Sequence, residues 1–67
     1  MFLTLTDATT DRKIIIRSDL IYLAYEVKLG DGTLVTKLEF NNEHYEFVKE
    51  SIDVLADYLN SDSRLVD

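Results

Sequence analysis

Apolar residues alternate with polar ones, or run together, in five segments of the first 48 positions. Residues 2–6 (FLTLT) place Leu3 and Leu5 on one face, the period of two expected of a half-buried strand. Residues 12–17 (RKIIIR) contain three β-branched isoleucines, which favour extended backbone. Further strands are predicted at residues 20–27, 33–40 and 44–48.

Polar turns separate these strands. Residues 7–11 (DATTD) and the pair Asn41 and Asn42 are rich in side chains that bond to nearby backbone or tolerate left-handed conformations. The segment Gly30-Asp31-Gly32 indicates a hairpin, because glycine reaches the positive φ angles of tight reversals.

After residue 48 the period changes from two to 3.6, which predicts a helix with Ser51 as its N-cap and Asp53 in its first turn. We expect it to end at residues 60–61, before a frayed tail. Its apolar stripe is Ile52, Leu55, Ala56 and Leu59. The predicted fold is α+β: a small antiparallel sheet or partly closed barrel of four to five strands followed by one C-terminal helix. Residues 1–60 form a single domain and residues 61–67 the tail.

One short helix cannot cover both faces of such a sheet, since the strands at residues 12–17 and 20–27 are apolar on both sides. Either the sheet curls into a barrel or its second face meets another subunit, and we favour the subunit. The candidate oligomer face consists of Ile14, Ile16, Tyr22 and Tyr25.

The length of 67 residues also favours association. A domain this small has a limited core and usually gains support from disulfides, metals or oligomerisation. Cysteine is absent, which leaves homo-oligomerisation as the expected support. The start of the chain does not resemble a signal peptide and no apolar run is long enough for a membrane helix, so we expect a cytoplasmic protein without membrane insertion.

The formal net charge is −6, and residues 41–67 carry seven acidic and two basic side chains. Direct nucleic-acid binding is disfavoured, because phosphate contacts depend on lysine and arginine. The carboxylates of Glu50, Asp53 and Asp57 are predicted to share the polar helix face. They form a candidate protein-binding acidic face, although a solvated surface is the commoner explanation.

The residues that commonly carry chemistry do not form a recognisable site. His44 is the one histidine, which argues against a metal site and against a catalytic triad. The two glycines lie in one turn and form no phosphate-binding loop. We therefore predict no catalytic residue, no metal ligand and no cofactor.

Three short motifs resemble the FlbD (SwrD) family of small bacterial flagellar-operon proteins. They are residues 1–6 (MFLTLT), residues 17–21 (RSDLI) and residues 48–51 (VKES), the last opening the final helix. The resemblance spans about residues 1–59, and it implies a shared fold and a non-enzymatic role without a cofactor. The region before the last strand (NNEH) and the C-terminus depart from the family pattern, and a phage or mobile-element protein of similar architecture fits equally well.

The leading hypothesis is a non-enzymatic cytoplasmic accessory protein that binds other proteins and forms a homo-oligomer. The alternative is a small acidic phage-type inhibitor or nucleic-acid mimic that blocks a basic site on a nuclease or DNA-binding protein. The sequence does not name the partner.

Overall fold

A computed structural model describes the backbone of residues 1–64 and the side chains of residues 1–60. Within residues 1–64, five strands are followed by one helix, and a 3₁₀ turn lies at Ser18–Leu20. The elements are β1 (Phe2–Thr6), β2 (Lys13–Arg17), β3 (Ile21–Lys28), β4 (Leu34–Phe40), β5 (Tyr45–Val48) and α1 (Ile52–Arg64). The mixed α+β class with a C-terminal helix is confirmed.

The strands form two antiparallel sheets, β1-β2 and β3-β4-β5. The prediction of one sheet or a partly closed barrel of four to five strands is therefore wrong. Backbone hydrogen bonds join the two sheets where the chain leaves β1: Asp7 forms an isolated bridge with Val48, and Lys49 donates its backbone N–H to Thr6 O at 2.8 Å. β1 ends at Thr6, so the pairing between Asp7 and Val48 does not extend into a continuous sheet.

The core lies between the sheets and under the helix. Its fully buried side chains include Leu5 from β1, Leu38 from β4 and Leu55 from α1. Leu5 pairs with Ile14 and Leu3 with Ile16, so the alternation of β1 determines which face of β2 is inside. The opposite face of β1 and β2 is open to solvent.

The turns depart in detail from their prediction. The β3–β4 hairpin closes with Leu29 N–H donating to Thr33 O at 2.8 Å, and Gly32 has a φ of 89°. In the β4–β5 turn, Glu43 takes the positive φ of 70°, whereas the sequence pointed to Asn41 and Asn42 for this role. The side chain of asparagine favours a positive φ at its own position. The hydrogen bond from Glu43 N–H to Phe40 O instead places the positive φ at Glu43, one residue after Asn42.

Ser51 caps the helix as predicted: the N–H of Val54 donates to its Oγ at 3.2 Å, and the N–H of Leu55 donates to its carbonyl at 3.1 Å. The helix continues to Arg64, three residues beyond the predicted end. Asn60 and Ser61 are only weak helix breakers, and no glycine or proline follows them. Residues 65–67 of the predicted tail lie outside the described part of the chain.

We expect Ser51→Ala to lower the free energy of unfolding by about 1 kcal/mol, because the N–H of Val54 loses its acceptor. Urea denaturation followed by circular dichroism measures this loss. Ser51→Asp is the matched control, since aspartate is an equally good N-cap and retains the bond. Equal losses in the two variants would contradict the capping role.

Candidate functional site

His44 and the glutamates near it lie at the surface. His44 is exposed in the β4–β5 turn, and its backbone N–H donates to the side chain of Asn42 at 3.3 Å. Among the described residues, no group of three or more histidine, cysteine, aspartate or glutamate side chains is placed to hold a metal ion.

The three carboxylates of the candidate acidic face are not equivalent. Asp53 and Asp57 are exposed on α1, but Glu50 precedes the helix and turns back to β1. Its carboxylate accepts the backbone N–H of Thr6 at 2.8 Å and the hydroxyl of Thr6 at 3.0 Å. The backbone carbonyl of Glu50 accepts the hydroxyl of the buried Thr36 at 2.7 Å. Glu50 thus joins the end of β1 and the middle of β4 at the entrance to the helix.

The surroundings of Glu50 favour its charged form. Burial by itself raises the pKa of the carboxyl, but the hydrogen bonds from Thr6 and the positive charge of Lys13 outweigh burial and lower the pKa below its ordinary value. This carboxylate is therefore a structural acceptor with little freedom to meet another molecule.

The four residues of the candidate oligomer face do not share a surface. Ile16 is part of the core cluster and Ile14 packs against it, so Ile15 is the outward residue of β2, 71% exposed. Tyr22 is 74% exposed because it is the extra residue of a β-bulge between Ile21 and Leu23. Tyr25 lies elsewhere, on the outer face of the three-stranded sheet.

That outer face carries a cluster of three aromatic rings around one lysine. Lys37 on β4 lies between its two neighbours, since it pairs with Tyr25 of β3 and with Phe47 of β5. Its Nζ is 5.8 Å from the ring centroid of Tyr25, 4.6 Å from that of Tyr45 and 5.9 Å from that of Phe47. All three distances are in the range of cation–π attraction. The rings of Tyr45 and Phe47 meet edge to face at 5.5 Å.

Glu39 completes this cluster. It pairs in register with Tyr45, accepts a hydrogen bond from the hydroxyl of Tyr25 at 2.5 Å, and lies 3.8 Å from Lys37 Nζ. We call these five residues (Tyr25, Lys37, Glu39, Tyr45 and Phe47) the aromatic face. Its single positive and single negative charge compensate each other, so the face is neutral in a chain whose net charge is −6.

Part of the aromatic face is visible in the sequence. Tyr45 and Phe47 are two apart on a predicted strand and therefore share a face. A hairpin centred on Asp31 also pairs Tyr25 with Lys37. No sequence pattern indicates that Glu39 bonds to Tyr25.

A groove of about 490 Å³ opens on another side of the molecule, between β2 and the β4–β5 turn. Its lining includes Ile14, Ile16 and Phe40, which belong to the core or pack against it, so the groove opens onto the core. His44 and Glu46 contribute polar groups to its wall.

Comparison with protein-family models, with curated proteins and with solved structures finds no match for this chain. In the part of the chain that the structure describes, no helix is both long and apolar enough to span a membrane.

Proposed function

We propose that this chain is a non-enzymatic accessory protein that binds proteins, and that it forms a homo-oligomer by packing the aromatic face against the same face of a second copy. The observation that carries the proposal is the aromatic face itself: three rings and a compensated charge pair on the open side of a sheet whose other side forms the core. The resemblance to the FlbD family is consistent with such an accessory role.

Burial of the aromatic face costs little in electrostatic terms. An isolated buried charge is expensive, but a paired charge with additional hydrogen bonds is tolerated. Lys37 already faces Glu39 and three rings, and Glu39 already accepts a hydrogen bond from Tyr25. Tyr45 is 55% exposed, which leaves apolar ring surface for a partner to cover.

The charges also favour a second copy as the occupant. In a two-fold symmetric interface, the contact of one residue with another is repeated in reverse. Lys37 of one protomer then approaches Glu39 of its partner, and Glu39 approaches Lys37. The exposed carboxylates of Asp53 and Asp57 on α1 would repel a copy of themselves, whereas the aromatic face is self-complementary.

The acidic inhibitor or nucleic-acid mimic has less support. Glu50 is held by Thr6, which leaves Asp53 and Asp57 of the three candidate carboxylates free to meet a basic surface. Ionic strength separates the two functions. An apolar interface changes little with added salt, whereas charge mimicry weakens steeply within the screening range.

The oligomeric state in solution tests the proposal. We expect sedimentation and light scattering to show an oligomer at micromolar concentration, and Tyr45→Glu to dissociate it, because the new charge lies at the centre of the interface. Tyr22→Glu is the matched control: the same substitution at a more exposed tyrosine outside the aromatic face. A strict monomer, or dissociation by Tyr22→Glu alone, would rule out this interface.

A further inference from the structure

We infer that the groove beside β2 binds an extended acidic segment of another protein, which adds a strand to the open edge of β2. The inference rests on the proposed protein-binding function but uses a surface separate from the aromatic face. The predicted segment has the pattern acidic–apolar–any–apolar–acidic.

The backbone of β2 has free hydrogen-bonding groups along one edge. In an antiparallel pair, successive residues point their N–H and C=O groups alternately toward and away from the neighbouring strand. Asp7 N–H donates to Arg12 O, and Ser18 N–H donates to Met1 O, so the even-numbered residues from 12 to 18 face β1. The N–H and C=O groups of Lys13 and Ile15 and the N–H of Arg17 therefore face outward, and no strand among residues 1–64 pairs with them. The C=O of Arg17 belongs to the 3₁₀ turn, whose N-cap is Arg17.

The groove offers apolar surface next to this edge. Ile14 and Ile16 point toward the groove, and Phe40 lines it from the opposite side. An added strand would direct alternate side chains toward these residues. The two apolar positions of the segment lie opposite Ile14 and Ile16. They would cover the surface that the half-buried Ile14 and Phe40 leave exposed, whereas Ile16 is already buried.

The charges of β2 determine the outer positions of the segment. Lys13 and Arg17 lie on the solvent face of β2, on either side of Ile15, and no acidic residue lies between residues 12 and 18. Lys13 Nζ donates to Thr6 Oγ1 at 3.2 Å in an exposed contact. Arg17 is paired with Asp19 at 2.7 Å, but both side chains are more than half exposed, so this pair exchanges readily for another carboxylate. An antiparallel segment with carboxylates four residues apart would meet both cations.

A second copy is a poor occupant of this edge. Antiparallel pairing of β2 with itself around Ile15 places Lys13 of one protomer beside Arg17 of the other. Like charges directly opposite each other destabilise a strand pair. Cations on an edge strand are a known means of preventing such self-pairing, and they leave the edge available to an acidic segment.

A fluorescein-labelled peptide with the core Asp-Val-Thr-Val-Asp between glycine and threonine flanks tests the inference. We expect saturable binding by fluorescence polarisation, with amide chemical-shift changes and slowed hydrogen exchange at Ile15 and its neighbours in β2. N-methylation of the central threonine should abolish binding, because that residue bonds to the open edge at Ile15. Lysine in place of both aspartates should abolish it as well.

Variants of the protein locate the site. Arg17→Glu should weaken binding about fivefold or more, since an attractive cross-strand pair becomes repulsive. Lys28→Glu is the matched control, because it makes the same charge change at an exposed position away from the groove, and it should bind normally. Absence of saturable binding, unchanged binding of the N-methyl peptide, or shifts confined to the aromatic face would overturn the inference. Oligomerisation is measured in the same samples and does not depend on peptide binding. A monomer that still binds the peptide would contradict the homo-oligomer proposal but not the inference about the groove.

Discussion

Replacing Leu38 with alanine should lower the free energy of unfolding by about 2–5 kcal/mol. Leu38 is fully buried in β4, the central strand of the larger sheet, and belongs to the core cluster with Leu5 and Leu55. The loss is the sum of the transfer free energy of the removed atoms and the free-energy cost of the cavity that they leave. Domains have about 0.05–0.15 kcal/mol of stability per residue, which is roughly 3–10 kcal/mol for this chain, so the variant should lie close to the unfolding threshold.

Urea denaturation by circular dichroism measures this effect. Leu34→Ala is the matched control, because Leu34 lies in the same strand but is 55% exposed. It should lose no more than about 1 kcal/mol. If Leu38→Ala is already unfolded in buffer, Leu38→Val removes less volume and keeps a measurable transition. Similar losses at positions 34 and 38 would contradict the assignment of Leu38 to the core.

The fold class and the order of the elements can be predicted from the period of the apolar residues. That period does not show which face of β2 is buried. Residues 14–16 are three isoleucines, and the flanking cations do not decide between the faces: Lys13 and Arg17 share the face of Ile15, but Arg12 shares that of Ile14 and Ile16. The inner face is determined by pairing with β1, where Leu3 and Leu5 alternate with Thr4. This long-range register is why Ile15, rather than Ile14 and Ile16, is exposed.

The separation of the strands into two sheets could not be predicted from the sequence either. Whether β1 joins β5 along its length or at one bridge depends on where the chain bends after Asp7, and that bend is stabilised by local bonds such as Thr9 N–H to Asp7 Oδ1 at 2.7 Å. The aromatic face could be predicted in part from the register of the β3–β4 hairpin. The groove was not, since it arises from the packing of one sheet on the other.

The assignment of Glu50 shows where helical period misleads. Glu50, Asp53 and Asp57 have the spacing of one helix face, but the helix begins at Ile52 after its cap at Ser51. Glu50 therefore lies outside the period that the spacing assumes. Its position is determined by the N–H of Thr6, which faces away from β2 and takes the Glu50 carboxylate as its acceptor.

Glu50→Ala should lower the free energy of unfolding at neutral pH by about 1–3 kcal/mol, because the N–H of Thr6 loses its acceptor in a partly buried site. Glu50→Gln retains an acceptor for that N–H but not the charge, so it should lose less. Glu26→Ala is the control for removal of a glutamate from an exposed position, and its effect should stay within about 0.5 kcal/mol. Urea midpoints of the three variants rank these effects.

The pH dependence identifies the carboxylate as the stabilising form. The pKa of Glu50 is lower in the folded protein than its ordinary value, so its contribution is fully present above the unfolded-state pKa of about 4.3 and is lost as pH falls through the folded-state pKa. The pKa values of Asp11, Asp19 and Asp31 are also lowered by hydrogen bonds, and their effect on stability is common to wild type and variants. The difference in unfolding free energy between wild type and Glu50→Gln should therefore be largest near neutral pH and shrink below about pH 4. A difference that stays constant from pH 7 to pH 3 would mean that the charge of Glu50 contributes nothing to the junction between β1 and the helix.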